Sequence, residues 1–438
     1  MTMTQSIHRG EILHFPATTS NPEQNHEYLQ DGILITENGL ITALADAQTF
    51  LNSLSEQELS HVLPGMIHHK GLLIPGMIDS HVHYPQMEMI ASYGTQLLDW
   101  LNEYTFPAEA KFCNSEYAAK QAKQFIEQLF AHGTTTASVF ATVHPESVNA
   151  FFSAAEACQA RMICGKVMMD RNCPDNLKDT AESGYAQTRQ LIEQWHKQGR
   201  SLYAITPRFA PTSSPEQLKK AGQLAKQHPD TFIQTHLSEN IQEIEWVKSL
   251  YPESPDYLGV YEKYDLVRER ALFGHCIHLE SREYQVLKRE QAGIIFCPTS
   301  NLFIGSGLFP YFDVKDKNIP VAIASDVGAG TSLSLLTNQA EAYKILQLQK
   351  QNLNPLEALY LCTQGAADTM RLSDKIGNLN PGTEADFVEL DFSALPMLSQ
   401  RTKQAKSLTE KLFALMILGD DRVIRRTYVH GQCIYTRE

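Results

Sequence analysis

The stretch LLIPGMIDSHVH (residues 72–83), continued by YPQ to residue 86, decides the fold. An apolar run breaks at Pro75-Gly76, resumes, and ends on two histidines one residue apart, His81 and His83. Residues at i and i+2 of a strand share a face, so a strand here would point both imidazoles the same way. The pair alone settles little. The chain has 16 histidines in 438 residues, and random placement gives roughly 0.6 His-x-His pairs. A polar turn after a strand explains it equally well, so the surrounding sequence has to decide.

Outward from this stretch, to about residue 330, short apolar runs alternate with longer amphipathic segments. The runs are LLIPGMIDSHVH (72–83), GTTTASVFATV (133–143), RMICGKVMMD (161–170), LYAITPRFAP (202–211), FIQTHLSE (232–239), ALFGHCIHL (271–279), GIIFCPTSN (293–301) and PVAIASDVG (320–328). Between them lie helix-like segments such as SEYAAKQAKQFIEQLFAHG, SPEQLKKAGQLAKQHP and SREYQVLKREQAG; the last two open on serines that suit an N-cap. Alternating strands and helices predict a parallel sheet, and eight candidate strands predict a closed (β/α)8 TIM barrel. A doubly wound open sheet would carry a Gly-rich phosphate turn after an early strand, and none is present.

The two ends of the chain read differently. EILHFPA (11–17), DGILITENG (31–39) and LITALAD (40–46) have strand character, with Asn38-Gly39 as a turn. QTFLNSLSEQEL reads as helix. Late in the chain, GNLNPGTEADFVELDF (377–392) and RVIRRTYVHGQCIYT (422–436) return to strand character, with His430-Gly431 as a turn. NPLEALYLCTQGAADTM (354–370) and LTEKLFALMILGDD (408–421) read as helices, the latter packing on the barrel or on a partner subunit. These features predict a small discontinuous β-sandwich domain built from residues 1–71 and 376–438, flanking a barrel at 72–375.

Composition narrows the function class. Hydrophobic residues make up 43% and charged residues 20%, ordinary for a soluble enzyme. The formal net charge is −13, and no Lys/Arg cluster offers a nucleic-acid footprint. The eight cysteines form no Cys-x-x-Cys, which argues for buried thiols in a reducing compartment. The N-terminal MTMTQSIHRGE lacks the apolar core of a signal peptide, and no run of about 18 apolar residues suggests a membrane span. The expected location is cytoplasmic.

In a (β/α)8 barrel, chemistry sits at the C-terminal ends of the strands. The first candidate strand ends in His81-x-His83, the fifth in Thr235-His236-Leu237-Ser238-Glu239, the sixth contains Gly274-His275-Cys276, and the eighth ends in Ser325-Asp326. Each has a bland explanation: a hydrogen-bonded core histidine, a helix-terminal carboxylate, a turn residue, a cap. Together they would converge on one point, and about three imidazoles with a carboxylate suit Zn²⁺. His278 would face the other way from His275, and His68, His69, His132 and His430 read as structural or surface residues.

The motifs PGMIDSHVHYPQ (75–86), YGTQLLDWLNEYTFP (93–107), PRFAP (207–211), THLSEN (235–240), GHC (274–276) and SDVGAGTS (325–332) run through most of the barrel. With them the sequence resembles the amidohydrolase superfamily, and within it the guanine deaminase family. The resemblance implies one zinc per subunit, held by His81, His83, His236 and Asp326. It makes Glu239, His275 and Asp326 the acid/base residues. It puts a guanine-like purine against Gln86, Arg208 and Phe209, with His236, Glu239 and Asp326 also touching it, and it implies a homodimer. Related purines, pterins or triazines are alternative substrates on the same scaffold. Ala329 stands where the pattern suggests glycine, and Lys166 is the one candidate for a lysine bridging two metals.

The chemistry fits these residue types. Zinc lowers the pKa of its water from 15.7 to about 7, which gives a nucleophile for an aromatic amidine carbon. Glu239 would protonate the ring and carry protons to the leaving amine, and such acid/base work contributes about 10² to 10⁴ in rate. Arg208 would donate to the carbonyl oxygen at position 6, Gln86 offers a donor and an acceptor, and Phe209 can stack. Core packing is the alternative for Phe209, a surface salt bridge for Arg208, and helix packing for Trp100.

Overall fold

The computed structural model describes residues 5–93 and 97–438. Gly94, Thr95 and Gln96 of the YGTQLLDWLNEYTFP motif lie outside the described residues, as do residues 1–4. The first four strands are β1 (Gln5–His14), β2 (Glu27–Glu37), β3 (Leu40–Asp46) and β4 (Ile67–Pro75). The barrel strands follow: β5 (Met77–His83), β6 (Thr134–Phe140), β7 (Arg161–Gly165), a two-residue β8 (Val167–Met168), β9 (Leu202–Pro207), β10 (Phe232–Leu237), β11 (Ala271–His275), β12 (Gly293–Phe296) and β13 (Val321–Ile323). The chain ends with β14 (Phe387–Leu390), β15 (Ile424–Val429) and β16 (Gln432–Thr436).

The predicted barrel is present. Its parallel ladder runs β5-β6-β7-β9-β10-β11-β12-β13, with β8 paired to β9. Closure is made by the loop after β13. The Asp326 N–H donates to the His81 carbonyl (2.9 Å) and the His83 N–H donates to the Val327 carbonyl (2.7 Å). The seam of the barrel therefore runs through three of the proposed ligands. Ile78, Ile163, Ala204, Phe232, Leu272, Ile295 and Ala322 fill the interior, and Met370, Leu372 and Ile376 pack beneath them.

The strands of both chain ends share one sheet, in the order β16-β15-β14-β4-β1-β2-β3. Bulges interrupt its registers, at Gly10/Ile12 among other places. The sheet folds over on itself. Edge strand β3 hydrogen-bonds the segment that leads into β14, through Ile41 N to Thr383 O and Gly382 N to Ile41 O, both 2.8 Å. Ile12, Leu34, Ile41, Leu73, Phe387 and Tyr428 are buried inside this fold. The turns at Asn38-Gly39 and His430-Gly431 have consecutive positive φ angles (51° and 83°, 50° and 76°), as two-residue hairpins need.

The run at 72–83 is two strands, not one. Its first part finishes β4 in the terminal sheet, so the expected boundary at 71/72 falls inside a strand. Gly76 makes the crossing, where a Cβ would lie 2.0 Å from Thr135 Oγ1. The run reads as continuous because both parts are buried. The other runs overshoot their strands at the C-terminal end. GIIFCPTSN, for example, leaves β12 for a helix at Pro298–Phe303. Ser214 caps its helix as expected, whereas SREY begins one residue earlier, with Glu280 at the cap. The helix Leu408–Leu418 packs against the helix Leu335–Leu348 of the barrel.

Candidate active site

β5 carries His81 and His83 on one face, as alternation requires. Their Nε2 atoms are 3.3 Å apart, and each lies 3.3 Å from Asp326 Oδ1. His236, near the end of β10, places its Nε2 3.3 Å from that of His83. The four ligand atoms lie within 4.8 Å of one another. A tetrahedral zinc with ligands at about 2.0–2.1 Å has edges of roughly 3.3–3.4 Å; His81, His83 and Asp326 keep that spacing among themselves, and His236 keeps it to His83.

The protonation states fit a metal as well. His236 Nδ1 lies 2.7 Å from the Arg208 carbonyl, which only accepts, so that nitrogen carries the proton and Nε2 presents its lone pair. Burial drives the His236 pKa well below its ordinary value, with the neighbouring His81, His83 and His275 adding to the effect. Burial likewise pushes His83 down to about 3. Burial alone would raise Asp326, but hydrogen bonds from His81 and His83 outweigh it and hold the carboxyl well below its usual range. Neutral imidazoles and an ionised carboxylate are what a divalent ion requires.

Glu239 and His275 border the cluster. His275 Nε2 is 3.5 Å from Glu239 Oε2 and 3.7 Å from Asp326 Oδ2. The Asn301 side-chain oxygen meets His275 Nδ1 at 3.0 Å and sets the ring's orientation. Burial pushes Glu239 up to about 8, with the Asp326 charge adding to it and the Ser306 hydroxyl (3.0 Å) opposing it. Glu239 therefore holds its proton more tightly than an ordinary glutamate. Several of these residues sit on unusual backbone. Ser238, His275, Cys276 and Asp326 all have φ between 48° and 70° without being glycine. Such left-handed residues cost energy and cluster where a side chain must be aimed.

A cavity opens over the cluster, lined by Gln86, Trp100, Arg208, Phe209, Ile304 and Ala329 together with His83, His236, Glu239, His275 and Asp326. Ala329, the departure from the expected glycine, forms part of its wall. Trp100 both lines the cavity and packs with Met89, Phe106 and Phe209. Arg208 is not a surface ion pair: it is buried and donates through Nη1 to both oxygens of Glu109, at 2.8 and 2.9 Å.

Lys166 is not part of the cluster; its ammonium meets Asp179 at 2.5 Å, at the break between β7 and β8. His278 turns to the Ser306 carbonyl (2.8 Å) and His69 to Glu389 (2.8 Å) in the terminal sheet. His275, Cys297 and Asp326 also approach one another, around the same aspartate.

Sequence reasoning missed Asp79, Glu109, Glu243, Asn301 and Ser306. Asp79 stands two residues before His81 in the opening motif, but a bulge in β5 between Asp79 and Val82 breaks the alternation there, so spacing did not mark it. Its buried carboxylate accepts from the Ser325 N–H (3.0 Å) and hydroxyl (2.5 Å), tying β5 to the loop that carries Asp326. Glu243 accepts from the Glu239 N–H (3.0 Å), the Asn240 N–H (3.2 Å) and the Tyr257 hydroxyl (2.7 Å), which fixes the turn beneath Glu239.

The model of the amidohydrolase family matches residues 72–434. The chain belongs to the amidohydrolase family. This amidohydrolase is 48% identical to the guanine deaminase of Escherichia coli strain K12, over 98% of this chain and 97% of that one. Among solved structures it resembles the E. coli guanine deaminase (TM-score 0.94, 45% identity, 99% of this chain and 100% of that one). It also resembles the guanine deaminase of C. acetobutylicum with bound guanine in the active site (TM-score 0.87, 31% identity, 99% and 100%).

Proposed function

We propose that this amidohydrolase hydrolyses guanine to xanthine and ammonia, using one zinc per subunit held by His81, His83, His236 and Asp326. The observation that carries the reading is the convergence of the donors His81, His83, His236 and Asp326 with the buried Glu239 at one cavity walled by Gln86, Arg208 and Phe209. Full-length identity to guanine deaminases supports guanine over the related purines, pterins and triazines.

A divalent ion bound there supplies a nucleophilic water at neutral pH. The chain's own residues do the rest. His275 and Asp326 take the proton from the attacking water. Glu239 donates its proton to the ring nitrogen beside carbon 2 and then delivers a proton to the departing amine. The carbon 2–oxygen bond forms first, as ring nitrogen 3 is protonated; the remaining proton of the added water then passes through Glu239 to the amine, the exocyclic carbon 2–nitrogen bond breaks, and the proton held by His275 and Asp326 restores the acid form of Glu239. One water is consumed, ammonia leaves and the oxygen at position 6 is retained. Arg208 donates to that oxygen, Gln86 meets the polar edge and Phe209 lies against the ring face.

The eight cysteines are all free thiols, which supports a cytoplasmic location; a homodimer rests on the family resemblance. Among the described residues no helix is long and apolar enough to cross a membrane. The test is ammonia and xanthine release from guanine beside adenine, cytosine, 8-oxoguanine and a pterin, with metal content measured on the same sample. Preferred turnover of guanine by zinc-loaded protein is expected. Preference for another ring would overturn the substrate, and full turnover by metal-free protein would overturn the mechanism.

A further inference from the structure

Glu109 comes from a different part of the chain than either residue it binds. It lies in the helix Phe106–Ala110, Gln86 in the turn after β5 and Arg208 in the turn after β9. Its carboxylate is fully buried. Oε1 accepts from Gln86 Nε2 (2.9 Å) and from Arg208 Nη1 (2.8 Å), and Oε2 accepts from the same Nη1 (2.9 Å). All three side chains are almost without solvent exposure, and both partners line the cavity. The Arg208 guanidinium also sits 5.7 Å from the centre of the Phe106 ring.

We infer that Glu109 is the residue that sets ring selectivity, as a positioning residue acting through Gln86 and Arg208. The inference rests on the guanine reading above. An ionised carboxylate accepts hydrogen bonds and donates none. It therefore dictates which end of the Gln86 amide faces it: the NH2 end. Gln86 is left with its carbonyl oxygen, and the amide cannot turn over without setting two oxygens against each other. Glu109 takes one end of the guanidinium in the same way. Arg208 Nε and Nη2 donate to no other group among the described residues, which leaves them for an acceptor in the cavity.

The wall then presents an acceptor from Gln86 and donors from Arg208, in fixed positions. Guanine offers the complementary pattern: a proton on ring nitrogen 1 and an oxygen at position 6. Adenine reverses it, with a bare nitrogen 1 and an amino group at position 6. The pair also balances charge. Arg208 and Glu109 bring one positive and one negative charge into the same buried space, so the wall favours a neutral ring over an anionic one.

2-Aminopurine keeps the amino group at carbon 2 but lacks both the oxygen at 6 and the proton on nitrogen 1. It therefore reads Glu109's role directly. The experiment measures the guanine KM and the inhibition constant of 2-aminopurine for wild type and Glu109→Gln, with zinc content and melting temperature as controls. A glutamine there can donate as well as accept, so it no longer forces the orientation of Gln86. The expected result is a rise of at least tenfold in guanine KM. The 2-aminopurine constant should change less than threefold, with zinc content kept. Glu109→Asp, which retains the charge, should recover part of the guanine affinity, and it carries the test if the glutamine variant does not fold. In a Gln86→Leu background, Glu109→Gln should cost guanine less than it does alone. Equal weakening of both ligands would make Glu109 merely structural and overturn the inference, as would an unchanged guanine KM. A wild-type enzyme that makes no xanthine overturns the guanine reading itself, and that result is seen without any variant.

Discussion

Gly274→Ala should empty the metal site while sparing the fold. Gly274 lies in β11 against the imidazole of His81. A Cβ built on it falls 2.8 Å from His81 Cε1, 3.1 Å from Nδ1 and 3.4 Å from Nε2. Carbon atoms rest at about 3.5–4.0 Å, so the ring must retreat by roughly 0.7 Å or more. Zinc ligation tolerates errors of about 0.2 Å, and the neighbouring donors have no slack to follow. The backbone at Gly274 is not left-handed, so alanine meets no other objection there. The cost to folding is that of one methyl forced into a packed interior, about 1–3 kcal/mol. The cost to metal binding is larger, a loss of about 100-fold or more in zinc affinity, since even ligand-supporting residues contribute about 10–100-fold. Zinc retained after dialysis against a graded chelator measures it, with ammonia release from guanine followed in the same fractions. A variant that folds, holds zinc as tightly as wild type and turns over normally would refute the placement of His81 in the site.

Three further perturbations probe other parts of the account. Glu239→Gln should keep its zinc and lose about 10² to 10⁴ in kcat, the range for a proton-transfer residue; retained turnover would remove its assigned role. Arg200 binds Glu384 and Asp386 beside Arg161 and joins the barrel to the segment entering β14. Arg200→Met should destabilise the protein by about 3 kcal/mol, because it takes the cationic partner from the buried Asp386 and leaves Glu384 with Arg161 alone, and urea unfolding reads this directly. Burial, with His69 and Arg426 adding to it, pushes the His8 pKa from 6.5 down to about 3. His8 is thus neutral when folded and takes up a proton on unfolding, so its contribution to stability is present above pH 6.5 and falls between there and pH 3. His8→Leu should flatten the stability–pH curve in that window by about 1.4 kcal/mol per pH unit; an unchanged slope would show that His8 is not held neutral.

The sequence made some parts of this molecule legible and left others dark, for identifiable reasons. Strand ends bearing His81, His83, His236, His275 and Asp326 could be read because metal ligands are rare residue types at positions that barrel geometry already marks. The division of LLIPGMIDSHVH between two sheets could not be read from hydrophobicity, since both halves are buried; only Gly76 hinted at it. The overshoot of the apolar runs has the same cause, because the loops that follow the strands are packed as tightly as the strands. Glu109 left no trace. A single glutamate in a short helix is usually solvated, and its partners are 23 and 99 residues away. Asn301 and Ser306 are equally silent, since each acts on a residue of another strand or its following turn. Asp79 lies in the same motif as His81 and His83, but the bulge between it and Val82 breaks the strand alternation that links the two histidines, so spacing does not mark it.

The most direct test of the central claim is a zinc titration of metal-free protein, with xanthine and ammonia from guanine as the readout. The account predicts no turnover without metal, a linear rise, and a plateau at one zinc per chain that Asp326→Ala cannot reach. Full guanine turnover by the metal-free protein, or a plateau reached equally by the Asp326 variant, would contradict it.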